Sequence, residues 1–165
     1  MNLRKFAIVA ALAVPFAASA NTAQADNIVE TAQGAGQFNT LLAAAKAAGL
    51  ADALASGGPF TVFAPTDDAF EALPAGTVET LLKPENKDQL AAILSYHVLP
   101  RKLTSNMLPG RSIHVKTIKS GGDRTLRVTK SGGGVTVDNA TVVAADINAD
   151  NGVIHVIDAV MLPQS

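Results

Sequence analysis

The residues able to do chemistry in this chain are few and widely spread. Asp67 and Asp68 stand side by side in "TVFAPTDDAF" (Thr61–Phe70), directly after a short apolar run. Three histidines, His97, His114 and His155, occupy separate segments, and Asp146, Asn148 and Asp150 alternate in "DINADNG" (Asp146–Gly152). A pair of carboxylates can do general acid and base work, but adjacent side chains on a helix do not face each other. A working pair is more often assembled from separate elements around a cleft. Thr66 is a good N-cap, and acids in a first helical turn sit against the positive end of the helix dipole, contributing ~0.3–1 kcal/mol each. The pair reads as a helix start, not a catalytic dyad.

The other constellations fall short of a reaction in the same way. His97 continues the apolar face Leu90, Ile93, Leu94, and His155 sits among Val153, Ile154, Val156 and Ile157. Both read as hydrogen-bonded core or boundary histidines, and His114 as a strand surface residue. No two histidines have a metal-binding spacing, and the absence of cysteine removes thiolate ligands and thiol nucleophiles. Asp146, Asn148 and Asp150 match the first three ligand positions of an EF-hand loop. The glycine, however, falls one residue late, and Ile157 stands where a bidentate Glu belongs. A strand-connecting turn uses the same residue types. Gly110-Arg111-Ser112-Ile113-His114 lacks the last glycine of a nucleophile elbow, and "GAGQFN" and "SGGGVT" lack the later glycine of a dinucleotide fingerprint. No enzyme activity, cofactor or metal is expected.

The elements that would position these residues divide the chain in two. "MNLRKFAIVAALAVPFAASA" has a basic start, an apolar middle and a small-residue end, the pattern of a secretory signal peptide. Cleavage after Ala20 or Ala25 assigns residues 1–25 to the leader at most and residues 26–165 to a single domain. The remainder has no apolar run long enough for a membrane anchor and no cysteine for lipid attachment, so a soluble periplasmic or extracellular protein is expected. Without disulfides an ordinary core must hold it. The first half shows helical spacing around Phe38, Leu41, Leu42 and Ala45, then "FTVFA" as a strand, and short helices from about Asp67 and Thr77. Asn86 with Gln89 predicts a capping box for a further helix. The second half alternates strands with the turns "SGGD", "SGGG", "DNA" and "NADNG". The last strand is apolar on both faces and should be central.

Charge is unevenly placed. Arg101, Lys102, Arg111, Lys116, Lys119, Arg124, Arg127 and Lys130 are opposed only by Asp123 within their stretch. Strand parity puts Lys116 on the His114 face and Arg127 opposite Leu126 and Val128, with Lys119 and Lys130 on the other parities. If those strands are neighbours, Arg111, Lys116, Lys119, Arg124, Arg127 and Lys130 are candidate anion-binding residues for a polyanionic glycan or lipid headgroup. Lysines guarding strand edges explain the same pattern. One Tyr and no Trp leave little for stacking sugars or bases, and export argues against nucleic acid.

"TVFAPTDDAF" resembles the first signature block of the fasciclin domain family, and "NGVIHVIDAVMLP" (Asn151–Pro163) the second. Between them "LSYHVLP" (Leu94–Pro100) is similar to the family's Tyr-His segment, and the resemblance covers about Asn27 to Pro163. Arg101 stands where the family often has Gly, and Leu103 to Lys130 is the least family-like stretch. The resemblance implies an α+β fold, a helical layer packed on a β-sandwich or wedge of short strands. It also implies adhesion or interaction without catalysis. Asp146 and Ile147 resemble the Asp-Ile pair of the family's proposed integrin-recognition motif, and Tyr96-His97 its other proposed adhesion segment. These four are candidate partner-binding residues, with an exposed Asp146 the main contact, although Ile147 and Tyr96 equally suit a core.

The expected function is a secreted binding module for cell adhesion or extracellular matrix, with a cell-surface protein or glycan as partner. Weak self-association would supply the avidity a lone domain lacks. A carrier of a small apolar ligand, held between helices and sheet, is the alternative.

Overall fold

The computed structural model describes residues 26–122 and 124–162. The expected leader and both of its cleavage points concern residues 1–25, which lie outside them, as does Asp123 in the "SGGD" turn.

Three helices open the fold: α1 (Ile28–Ala35), α2 (Asn39–Ala48) and α3 (Ala51–Ser56). The Asn27 side chain accepts from the Glu30 N–H while the Glu30 carboxylate accepts from the Asn27 N–H, so α1 starts on a reciprocal capping box. Gly49 ends α2 at φ 74°, a left-handed conformation suited to glycine. After strand β1 (Phe60–Pro65) come α4 (Asp67–Glu71), α5 (Thr77–Leu81), a 3-10 turn (Pro84–Asn86) and α6 (Lys87–Tyr96). The capping box expected at Asn86 does not form. The 3-10 turn runs straight into α6, so Asn86 lacks the extended backbone of an N-cap. Its amide instead donates to the Thr80 carbonyl at 2.7 Å, holding the end of α5.

The strands β2 (Val98–Leu99), β3 (Ile113–Lys116), β4 (Thr125–Ser131), β5 (Gly134–Val137), β6 (Ala140–Ala149) and β7 (Gly152–Ile157) join β1 in one sheet of order β2-β1-β7-β6-β5-β4-β3. Among the described strands only β1 and β7 pair in parallel. All six residues of β7 are buried, as a central strand requires. Ile154 and Val156 face a core shared with Leu41, Ala44, Ala45, Leu90, Ile93 and Leu94 of α2 and α6. Ile157 faces a second core, where Phe63 and Leu99 meet Val115, Leu126, Val128 and Val137. β6 carries register shifts between Val142 and Ala144 and between Ala144 and Ile147. Bulges bend a strand, and beyond them β5, β4 and β3 close over the second core. The expected α+β architecture of helices on a wedge of strands is the one observed.

Two strands are shorter than their apolar runs. Regular pairing in "SIHVKTIK" stops at Lys116, and in "GVIHVIDAVML" at Ile157. There Asp158 and Thr141 exchange bonds, Asp158 N–H to Thr141 O at 3.1 Å and Thr141 N–H to the Asp158 carboxylate at 2.8 Å.

Candidate functional site

Asp67 stands in the first turn of α4, as expected, and also caps a second helix. The Thr66 side chain caps α4 by accepting from the Ala69 N–H at 3.3 Å. Asp67 reaches across to α2, whose N-cap residue, Phe38, offers no side-chain acceptor. One carboxylate oxygen accepts from the Thr40 N–H at 2.8 Å, and the other from the Asn39 N–H at 3.3 Å and its amide at 3.1 Å. Partial burial opposes ionisation, but the bonds from Thr40 and Asn39 outweigh it and hold the carboxyl below its ordinary range. Asp68 is exposed. The pair has no shared task.

His97 and His155 are both buried and both committed to backbone. His97 Nδ1 lies 2.8 Å from the Ile93 carbonyl, and Nε2 accepts from the Met161 N–H at 3.1 Å. The ring is therefore neutral, with its proton on Nδ1. Burial dominates and depresses its pKa to about 4, against the opposing pull of Ile93 and the Asp138 charge. His155 has the other tautomer, with Nε2 at 2.6 Å from the Leu103 carbonyl and Nδ1 accepting from the Asp146 N–H at 3.2 Å. It stacks on Phe63 with centroids 5.5 Å apart. Burial also lowers its pKa, partly offset by Leu103 and Asp146.

Asp146, expected to be exposed, is half-buried. Its carboxylate accepts from the Ser105 N–H at 2.7 Å and from the Ser105 hydroxyl. Burial opposes its ionisation, but the bonds from Ser105 outweigh it and, with the Lys130 charge nearby, hold its pKa low. Lys130 Nζ donates to the Ser105 carbonyl at 3.0 Å. Ser, His and Asp thus gather here without forming a nucleophile. The hydroxyl donates to a carboxylate, and the imidazole bonds backbone on both sides. Ile147 is half-buried against the helical core. In the turn that follows, Asn151 joins three segments, accepting from the Ile28 N–H at 2.9 Å and donating to Leu54 O at 2.5 Å and Gly57 O at 2.8 Å. Asn151 stands in the "NADNG" turn and heads the second signature block, and nothing in its local sequence points to these distant partners.

Tyr96 is buried in the second core, with its hydroxyl 2.9 Å from the Asp138 carboxylate and 3.2 Å from the Thr125 carbonyl. Lys119 Nζ stands 5.8 Å from the centre of its ring. The candidate adhesion residues therefore form no common surface: Tyr96 and His97 are interior, and Asp146 and Ile147 lie at a bulge of β6.

The basic strands do neighbour each other. His114 pairs with Arg127 and Lys116 with Thr125, placing His114, Lys116 and Arg127 on the outward face while Val115, Leu126 and Val128 point in. Arg111 and Arg124 are exposed in the flanking loops, whereas Lys119 and Lys130 turn toward Tyr96 and Ser105. Two further spaces matter. Between helices and sheet, apolar residues including Leu41, Val62, Leu94 and Ile154 surround ≈ 30 Å³, the room of about one water molecule. Beside β3 and β4 an open cleft of ≈ 330 Å³ is bounded by Tyr96, His114, Arg127, Asp138, Asn139 and Leu162.

The architecture defines an α+β module with two cores and a basic outer strand face. The Fasciclin domain family matches residues 36–163, and the chain belongs to that family. It is 54% identical over 144 residues to Protein sll1483 of Synechocystis sp., covering 87% of this chain and 77% of that protein. Over 136 residues it is 40% identical to the transforming growth factor-beta-induced protein ig-h3 of Sus scrofa, covering 82% of this chain but 19% of that longer protein. Among solved structures it resembles a FAS1 domain pair from the insect cell adhesion molecule Fasciclin I, with TM-score 0.50 and 20% identity. The match covers 78% of this chain and 45% of that one.

Proposed function

We propose that residues 26–165 act as a single exported module that binds a cell-surface or matrix partner without chemical turnover, through the outward face of β3 and β4. The observation carrying this reading is the register that lines up His114, Lys116 and Arg127 on one exposed face, with Arg111 and Arg124 flanking it. Cations held out from a folded core raise the local concentration of an anionic surface and speed encounter with it. Family membership supports a general binding role, and adhesion is supported by the likeness to Fasciclin I. Tyr96, His97, Asp146 and Ile147 serve binding indirectly, by holding the β6 bulge and the two cores in shape.

The test is binding of labelled mature protein to its own cells and to neighbouring cells across a salt series. Saturable binding that falls steeply with salt, and falls again in Lys116→Gln, is expected. Saturable binding that ignores salt and is lost in Asp146→Ala would move the contact to β6. Absence of saturable binding at any salt overturns the adhesive role.

A further inference from the structure

The cleft beside Tyr96 gathers His114, Arg127, Asp138, Asn139 and Leu162. Across it runs a row set by register: His114 pairs with Arg127, and Asp138 N–H bonds the Arg127 carbonyl at 2.8 Å while the Arg127 N–H bonds the Asp138 carboxylate at 2.9 Å. Cross-strand neighbours such as His114 and Arg127 have their Cβ atoms about 4.5–5.5 Å apart, and Asp138 bounds the same cleft, so one small ligand there meets imidazole, guanidinium and carboxylate. Asp138 is held at φ 49° with its second oxygen 2.9 Å from the Tyr96 hydroxyl. That fixes the carboxylate, each of whose oxygens can accept a further bond. Among the described residues nothing hydrogen-bonds or ion-pairs with the His114 ring, the Arg127 guanidinium or the Asn139 amide. One wall is Leu162, a large apolar side chain left 49% exposed.

We infer that this cleft binds a saccharide bearing a carboxylate, with Arg127 and His114 on the carboxylate and Asp138 and Asn139 on ring hydroxyls. Planar donors and acceptors suit this chemistry. A guanidinium grips a carboxylate through two parallel bonds, and an amide and a carboxylate each engage neighbouring hydroxyls. Leu162 offers the apolar contact that a sugar face needs where no exposed aromatic ring is present. The opening of ≈ 330 Å³ lies within the range of small-ligand sites, about 300–1,000 Å³. A lipid tail or apolar cargo fits poorly, because burying Asp138 and Arg127 against hydrocarbon would cost their hydration. The negative Asp138 beside the positive Arg127 favours a ligand whose acids are each flanked by hydroxyls over a bare polyanion. This inference rests on the binding-module reading and names its ligand class.

The experiment is a calorimetric titration of the purified mature protein with an oligosaccharide of alternating glucuronic acid and N-acetylglucosamine. The same oligosaccharide with its carboxylates reduced to alcohols, and sodium acetate, are titrated in parallel. Saturable binding of the acidic saccharide is expected, with roughly tenfold or greater weakening on reduction and in Arg127→Gln, since a charge-assisted bond contributes about 1.5–3 kcal/mol. Asn139→Ala should weaken the acidic and the reduced saccharide alike. Lys46→Gln, an exposed cation on α2, should change nothing. No heat with any saccharide, equal affinity for acidic and reduced forms, or equal losses in Arg127→Gln and Lys46→Gln would each overturn the site. Cells play no part in the titration. Saturable cell binding with a blank titration therefore removes the saccharide site alone, and the converse removes only the adhesive role.

Discussion

Replacing His97 by Gln tests the packing between the end of α6 and the sheet through its response to acid. In an unfolded chain the imidazole titrates near 6.5, whereas in the folded protein burial holds it at about 4. Between those values the unfolded state binds more protons, so stability falls as pH falls. The loss begins near pH 6.5 and is complete below the folded pKa. Going from pH 7.5 to 4.5, linkage places the contribution at about 2–3 kcal/mol. His155 is shifted in the same direction and adds to the slope. Asp67 and Asp146, whose pKa values are lowered from 3.8, contribute stability above that value and lose it only at lower pH, outside this interval. The assay is urea unfolding at both pH values for the wild type and His97→Gln, whose amide keeps one donor and one acceptor. The wild type should lose about 2–3 kcal/mol more than the variant. Equal losses, or a His97 ring resonance titrating near 6.5 in the folded protein, would refute the account.

Three further outcomes follow from the packing. Asp67→Ala should lower stability by about 1–2 kcal/mol by uncapping α2, while Asp68→Ala stays within about 0.5 kcal/mol; equal costs in thermal melts would return the pair to a common role. Gly152→Ala should cost at least about 1–3 kcal/mol, because a Cβ there would lie 2.0 Å from the Phe60 carbonyl oxygen. Wild-type stability of that variant would contradict the close β1–β7 approach. Tyr96→Phe should cost about 1 kcal/mol through loss of its hydroxyl bonds to Asp138 and Thr125. Circular dichroism melts would check it, with no change meaning that the hydroxyl is not engaged.

The periodicities were legible because each reports a local constraint. Apolar spacing in Phe38–Ala45 marked α2, Gly49 its end, and two-sided apolarity in Val153–Ile157 a central strand. Parity alone placed Lys116 and Arg127 outward and Lys130 inward, and the observed register agrees. Local spacing misled where the chain had a distant partner to use. Asn86 met a capping-box pattern, yet the preceding 3-10 turn denied it the backbone and Thr80 took its side chain. Asp67 does stand in the first turn of its own helix, but its spacing carried no sign that its carboxylate also satisfies N–H groups beginning 28 residues earlier, at Asn39.

The sequence by itself determined the two-part order of helices and strands, the buried character of His97 and His155, and the parity of the cations, because these depend on neighbours a few residues away. Only the tertiary structure decided what the polar groups touch. Asp146 is tied to Ser105 across 41 residues, and the row His114–Arg127–Asp138 exists only through strand register and a turn held at positive φ. A hydrogen bond needs its partner within about 3 Å, and no spacing along a chain specifies which distant segment the fold will bring there.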